Sequence, residues 1–238
     1  MTRAPDSANV STAPSRQFLA GAAAEAPILI GAIPLGIAFG VAAMASQLGI
    51  AATAGLSTLV FAGSSQFVAA QMIAAGAPWI LVVLAIFVVN LRHALYSASL
   101  ASRLAPLGYG WRVLLAYLLT DEAYAVAVVH FERQPHASHR HWFLFGAGLT
   151  LWAGWQLGTL IGALAGAAIP QHWNLDFMLP LIFVGLVVPL LVNRPALVTA
   201  LTAGTVAVAA NALPYKLNLP LAILVGLAAG MWARRSPP

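Results

Sequence analysis

The chain has no cysteine and very little charge. Without cysteine it forms no disulfide, carries no cysteine-ligated iron–sulfur cluster and builds no thiolate zinc site. Asp, Glu, Lys and Arg make up only 7% of its 238 residues, where a soluble domain carries about 25%. So few charges cannot cover the surface of a water-soluble domain of this length. Lysine occurs once, at Lys216. The net charge is +5, but the basic residues are scattered through the loops. The clustered basic face of a nucleic-acid-binding protein is missing. No G-x-x-x-x-G-K-[ST] loop is present, so the chain has no phosphate cradle with which to hydrolyse ATP. No G-x-S-x-G elbow is present either, which argues against a serine hydrolase. The chain is not read as an enzyme.

What is abundant is apolar. Hydrophobic residues make up 61% of the chain, which excludes intrinsic disorder. Eight apolar segments alternate with short polar breaks, near residues 26–45, 51–75, 79–100, 111–131, 142–169, 177–192, 195–211 and 217–232. A spanning helix takes roughly 20 residues. The runs are too long for barrel strands, which alternate over about ten residues. The fold class expected is all-α, a polytopic helical membrane bundle of about seven or eight transmembrane helices in the lipid bilayer. Residues 1–15 are polar and rich in Pro and Ser, and read as a disordered cytoplasmic tail. Residues 16–238 read as a single transmembrane transport domain.

Loop Lys and Arg set orientation. With eight spans and the N-terminus inside, the inner side holds Arg3, Arg16, Arg133, Arg140, Arg194, Arg234 and Arg235. The outer side holds Arg103, Arg112 and Lys216. Seven against three places both termini in the cytoplasm. A re-entrant second segment alone would make the count five against five.

The second segment contains Ala62-Gly63-Ser64-Ser65-Gln66-Phe67. Lipid cannot satisfy three adjacent polar side chains, so they face protein or a watery cavity. Gly63 allows an unwound turn. A helix broken there would offer the N–H groups and hydroxyls of Ser64 and Ser65 to a substrate carboxylate. Packing through small residues is the plainer reading, but it has no need of Gln66.

The third segment carries Asn90, Arg92, His93, Tyr96, Ser97 and Ser99, and the fourth carries Thr120, Asp121, Glu122 and Tyr124. Ionisable residues inside a span are expensive and mark function. Depth counting from the short loop between the two segments puts Arg92 level with Asp121 and Glu122, so an ion pair with one of them is expected. The charges form either a structural staple or, with His93, a proton relay. Arg92, Tyr96 and Ser99 share one helical face, and Asn90, His93 and Ser97 share another.

Three further stretches carry less. Pro34 and Gly36 in the first segment suggest a kink or gate, and Gly36 and Gly40 suggest close helix approach. The loop from His136 through His139 to His141 fits no helical face and has no adjacent carboxylate, so no metal is expected. A faint repeat relates segments one to three to segments five to seven, through Phe61-Ala-Gly63 and Phe183-Val-Gly185 and through Asn90 and Asn211.

Pro34-Leu-Gly-Ile-Ala-Phe-Gly40, Phe61-Ala-Gly-Ser-Ser-Gln-Phe67, Asn90-Leu-Arg-His-Ala-Leu-Tyr96 and Thr120-Asp-Glu-Ala-Tyr124 together resemble the AzlC family of bacterial inner-membrane permeases. The likeness runs over about residues 16–235 and is densest in the first four segments. It implies export of leucine, isoleucine and valine, with methionine a further candidate, driven by the proton motive force. It also implies a small hydrophobic membrane partner of the AzlD type.

The reading is therefore a secondary transporter subunit that exports neutral amino acids, with no cofactor. Gly63, Ser64, Ser65, Gln66, Asn90 and Tyr96 are the candidate substrate-binding residues. Arg92, His93, Asp121 and Glu122 are the candidate charged lining. The alternative is a channel, or a scaffolding subunit whose small partner carries the binding site.

Overall fold

The computed structural model describes residues 13–134, 137–168 and 191–235. Residues 1–12 of the expected tail lie outside the described residues, as do His136 and almost all of the sixth segment with Phe183-Val-Gly185. Pro14 and Ser15, at the end of that tail, open the first helix.

The described residues form helices and no strand. The first apolar run is one 32-residue span, Pro14–Ala45. It comprises α1 (Pro14–Glu25), a 3-10 turn (Ala26–Ile28) and α2 (Leu29–Ala45). Pro27 falls in the first turn of the 3-10 piece, where its missing N–H costs little. Helix α2 continues through Pro34. Next come α3 (Ile50–Leu59), α4 (Gly63–Ala74), α5 (Trp79–Leu104), α6 (Tyr109–Tyr117), α7 (Asp121–Arg133), α8 (Arg140–Ala168), α9 (Arg194–Ala209) and α10 (Asn218–Arg235). Large apolar side chains such as Ile30, Leu59, Phe87 and Leu95 stand exposed, while Glu25, Gln66 and Thr159 are buried. That inversion of the soluble pattern fits helices bathed in lipid.

The break that Gly63 allows in residues 51–75 is present. Residues 111–131, expected as one helix, are corrected: they are broken too. Each is two half-length helices, separated by residues 60–62 and 118–120. At the second break Thr120 is extended (φ −102°, ψ 178°) and its hydroxyl accepts the Ala123 N–H at 3.3 Å. This is an N-cap followed by two acidic residues, a helix start favoured over continuation. At the first break Ala62 is extended (φ −157°, ψ 104°) and no side chain caps the new helix. Asn90 lies within α5, whereas Asn211 lies past the end of α9, so the two are not equivalent as the repeat required.

The chain divides into two compact units. One comprises Met1–Pro34 and Arg92–Leu157, the other Leu35–Leu91 and Gly158–Pro238. In the first unit, α1 and the opening half of α8 run in the same direction. A Cβ on Gly146 would fall 2.1 Å from the Phe18 carbonyl oxygen, and one on Gly154 would fall 2.6 Å from Leu29. Helix α6 also runs with α8: Trp111 packs edge-on against Trp142, and Trp152 Nε1 donates to the Tyr117 hydroxyl at 2.8 Å. Helix α7 runs against α1: Gln17 bonds His130 at 3.0 Å, and Glu25, eight residues on in α1, lies within the electrostatic reach of Glu122, eight back in α7. Leu100, Leu115, Leu119, Ala127, Phe131 and Leu144 form the core of this unit.

In the second unit, α2 and the closing half of α8 cross backbone to backbone. A Cβ on Gly40 would sit 2.3 Å from the Thr159 carbonyl oxygen, and one on Gly162 would sit 2.0 Å from that of Ile37. The Ser57 and Thr159 hydroxyls join at 3.1 Å. Helices α9 and α10 pair antiparallel, Gly226 opposite Ala203 and Gly230 opposite Thr199.

Candidate functional site

Each unit carries one group of polar residues, and each group gathers at a helix break. In the second unit the break joins α3 to α4. The intrahelical ladder of α4 begins with the Gln66 N–H on the Ala62 carbonyl at 3.1 Å. The N–H groups of Gly63, Ser64 and Ser65 precede that bond, at the positive end of the helix dipole. The Ser65 hydroxyl donates to the Ala62 carbonyl at 2.9 Å. The Gln66 side-chain amide donates to the Ser57 carbonyl at 3.3 Å and to the Val60 carbonyl. Ser65 and Gln66 are fully buried, and Ser64 is exposed.

Gln66, taken from sequence as a substrate contact, thus spends its amide protons on carbonyls at the end of α3 and in the break, where the Val60 carbonyl also accepts the Ala62 N–H at 2.8 Å. The residue ties the two half-helices together. The Ser65 hydroxyl is likewise spent locally. Of the three side chains, that of Ser64 stands exposed.

In the first unit the break joins α6 to α7. Arg92 Nη1 pairs with Asp121 Oδ2. His93 Nε2 lies 3.8 Å from Asp121 Oδ1. Asp121 and Glu122 occupy the first turn of α7, where the helix dipole favours negative charge. The ion partner of Arg92 is thus Asp121. Glu122 acts electrostatically on Glu25 of α1. One turn on, the Tyr96 ring stacks on Tyr124 with centroids 4.6 Å apart, and Ser99 bonds the Tyr124 hydroxyl at 2.9 Å. The expected face of Arg92, Tyr96 and Ser99 therefore lies along α7. Arg92 and Asp121 keep 35% and 39% of their side chains exposed. Charges so open cannot face hydrocarbon cheaply, so this surface meets water or protein.

Beside this group an apolar cavity of about 390 Å³ lies between α5 and α6, lined by Ser97, Ala101, Leu104, Arg112, Leu115 and Leu119. Asn90 precedes Arg92 by two residues, and its side-chain oxygen is buried with no partner among the described residues. Pro34 and Gly36 lie within α2. The described residues hold no cluster of three or more metal-type ligands.

Sequence reasoning missed Glu25. It is fully buried, and neither carboxyl oxygen has a hydrogen-bond partner among the described residues. Its signal in the sequence is an acidic residue at the edge of a long apolar run.

Comparison with known proteins gives the family. The AzlC protein family matches residues 27–169. The inner membrane protein YgaZ of Escherichia coli strain K12 is 32% identical over 224 residues, 91% of this chain and 89% of its own length. The branched-chain amino acid transport protein AzlC of Bacillus subtilis strain 168 is 27% identical over 161 residues, 66% of this chain and 61% of its own length. An Archaeoglobus fulgidus membrane protein is 31% identical over 208 residues, 84% of this chain and 87% of its own. No solved structure matches. All four motifs that carry the resemblance lie in the matched region, two of them at the helix breaks, and on the strength of that match the chain belongs to the AzlC family.

Proposed function

We propose that this chain is the large subunit of a secondary transporter that exports branched-chain amino acids across the bacterial inner membrane. The proton motive force drives it, and a small hydrophobic subunit of the AzlD type completes it. Membrane transport follows from the family. The substrate reading draws support from the name of the Bacillus relative, and the membrane from that of the Escherichia relative.

The observation that carries the reading is the start of α4 within a broken apolar segment. A zwitterion crossing a membrane needs its carboxylate met. Backbone N–H groups at a half-helix start do this without a buried counter-charge. Gly63 and Ser64 are the proposed carboxylate contacts, with Ser65 and Gln66 holding the break. Asn90 and Tyr96 remain candidate contacts, Arg92, His93, Asp121 and Glu122 the candidate charged lining, and Pro34 with Gly36 the candidate gate.

The test is efflux of labelled leucine from loaded cells that also express the small partner. Gly63→Leu should abolish efflux at normal expression. Ser64→Ala should lower affinity about five- to tenfold, the loss of one hydrogen bond of about 1 kcal/mol. Efflux that saturates and stops when the proton gradient collapses supports a carrier. Efflux that does neither indicates a channel. Unchanged efflux in both variants would overturn the α4 site.

A further inference from the structure

We propose that Glu25, buried at the end of α1, is the proton-carrying site of the transporter. This inference rests on the transport reading above and assigns its coupling to particular atoms.

Three independent observations converge on Glu25. The first is burial without satisfaction. Its side chain is fully buried, and both carboxyl oxygens lack a hydrogen-bond partner among the described residues. An ionised carboxylate in such a place is among the costliest arrangements in a protein, whereas the neutral acid is tolerable. The second is its surroundings. The charge that acts on Glu25 is the like charge of Glu122 on α7, and a like charge favours the neutral acid further. The other titratable groups on the packed elements do not supply a counter-charge. Asp121 is engaged by Arg92 and His93. His130 is tied to Gln17 at 3.0 Å, two turns away along α1. Helix α8 has no titratable residue after His141, at its start.

The third observation is position. Glu25 is the last residue of α1, immediately before the 3-10 turn Ala26–Ile28. A 3-10 piece within a long helix often marks a hinge. Glu25 also lies inside the 32-residue span Pro14–Ala45, about 17 Å from its start and away from either end. Glu122 stands at the α6–α7 break. A carboxyl inside a span, beside a joint in its own helix, can exchange its proton with opposite sides as the joint flexes. The step is a simple protonation. The carboxylate takes one proton from water on the side with higher proton concentration and returns it to water on the other.

The experiment uses the full chain, with its small partner, in membrane vesicles. Dicyclohexylcarbodiimide, an apolar reagent, attacks protonated carboxyls buried in membranes and leaves a mass adduct. The expected result is an adduct on the peptide containing Glu25, with a rate that falls as pH rises and an adduct that is absent in Glu25→Gln. Glu122→Gln should move that pH profile, because the neighbouring charge is gone. In transport, Glu25→Gln should lose uphill leucine efflux at least tenfold while keeping leucine–leucine exchange, and Glu25→Asp should restore part of the uphill component. No adduct at Glu25, a pH-independent adduct, an unmoved profile in Glu122→Gln, or wild-type uphill efflux in Glu25→Gln would each overturn the proposal. Protection of the adduct by sodium at constant pH would overturn it in favour of a metal cation. The labelling arms read Glu25 even in a protein that moves no leucine, so failure of the substrate reading is seen separately.

Discussion

Gln66 reaches back over the break it follows, and its side-chain amide donates to the Ser57 carbonyl at 3.3 Å. One residue thereby anchors the end of α3 to the start of α4. Gln66→Ala removes a donor from the Ser57 and Val60 carbonyls, and each hydrogen bond lost costs about 0.5–1.5 kcal/mol. The expected outcome is a clear drop in the thermal midpoint of the purified protein in detergent. Gln71→Ala, at an exposed position on the same helix, should leave the midpoint unchanged. A Gln66 variant with weaker leucine affinity and unaltered stability would restore it as a substrate contact.

The Arg92–Asp121 pair is a second joint between elements. Arg92→Ala strands Asp121, and Asp121→Asn strands Arg92. Each single change should lower the midpoint more than the double change does. The interaction should fall below the roughly 3–5 kcal/mol of a fully buried pair, because both side chains are more than a third exposed. A double-mutant cycle of thermal midpoints measures it. Strictly additive losses would show that the pair contributes nothing.

The crossing of α2 and α8 depends on absent side chains. Gly40→Ala places a Cβ 2.3 Å from the Thr159 carbonyl oxygen, against backbone that cannot swing aside. The helices must separate, and the Ser57–Thr159 hydroxyl contact lies at the same place. Monodisperse yield on size exclusion should fall severalfold. Gly31→Ala, on the same helix with nothing within 4 Å, should be neutral or stabilise by about 0.5–1 kcal/mol through helix propensity.

Much of this was legible from residue types and spacing. The Arg92–Asp121 level match followed from counting 1.5 Å per residue on either side of a short loop. The break at Gly63 followed from a glycine beside three polar residues in an apolar run. The break at Thr120 was missed although its sign was present, since Thr120-Asp-Glu is a capping residue with an acidic first turn. Uniform hydropathy across 111–131 outweighed that local chemistry. The task of Gln66 could not be read at all, because it depends on which carbonyls a turn leaves without partners. Glu25 was hidden for a related reason. Its burial depends on how α1 packs in the folded chain, and the like charge that acts on it, Glu122, lies almost a hundred positions away.

The directions of the helices in the first unit have a topographical consequence. Helices α1, α6 and α8 point one way. Helix α7 points the other, and so does the closing part of α5, since Arg92 meets Asp121 and Tyr96 meets Tyr124 with both chains advancing. The α6–α7 segment therefore leaves by the face through which it entered. The hairpin loop 105–108, with Arg103 and Arg112 beside it, then shares the N-terminal side of this unit. Arg16, Arg133 and Arg140 lie on that side too, which gathers five arginines of the first unit at one face. Single cysteines can be introduced without background into a chain that has none. A cysteine at Gly108 should be shielded from an impermeant thiol reagent in intact cells wherever one at Ser15 is shielded, and reached wherever that one is reached. Opposite labelling of the two positions would overturn the shared direction of α1 and α6.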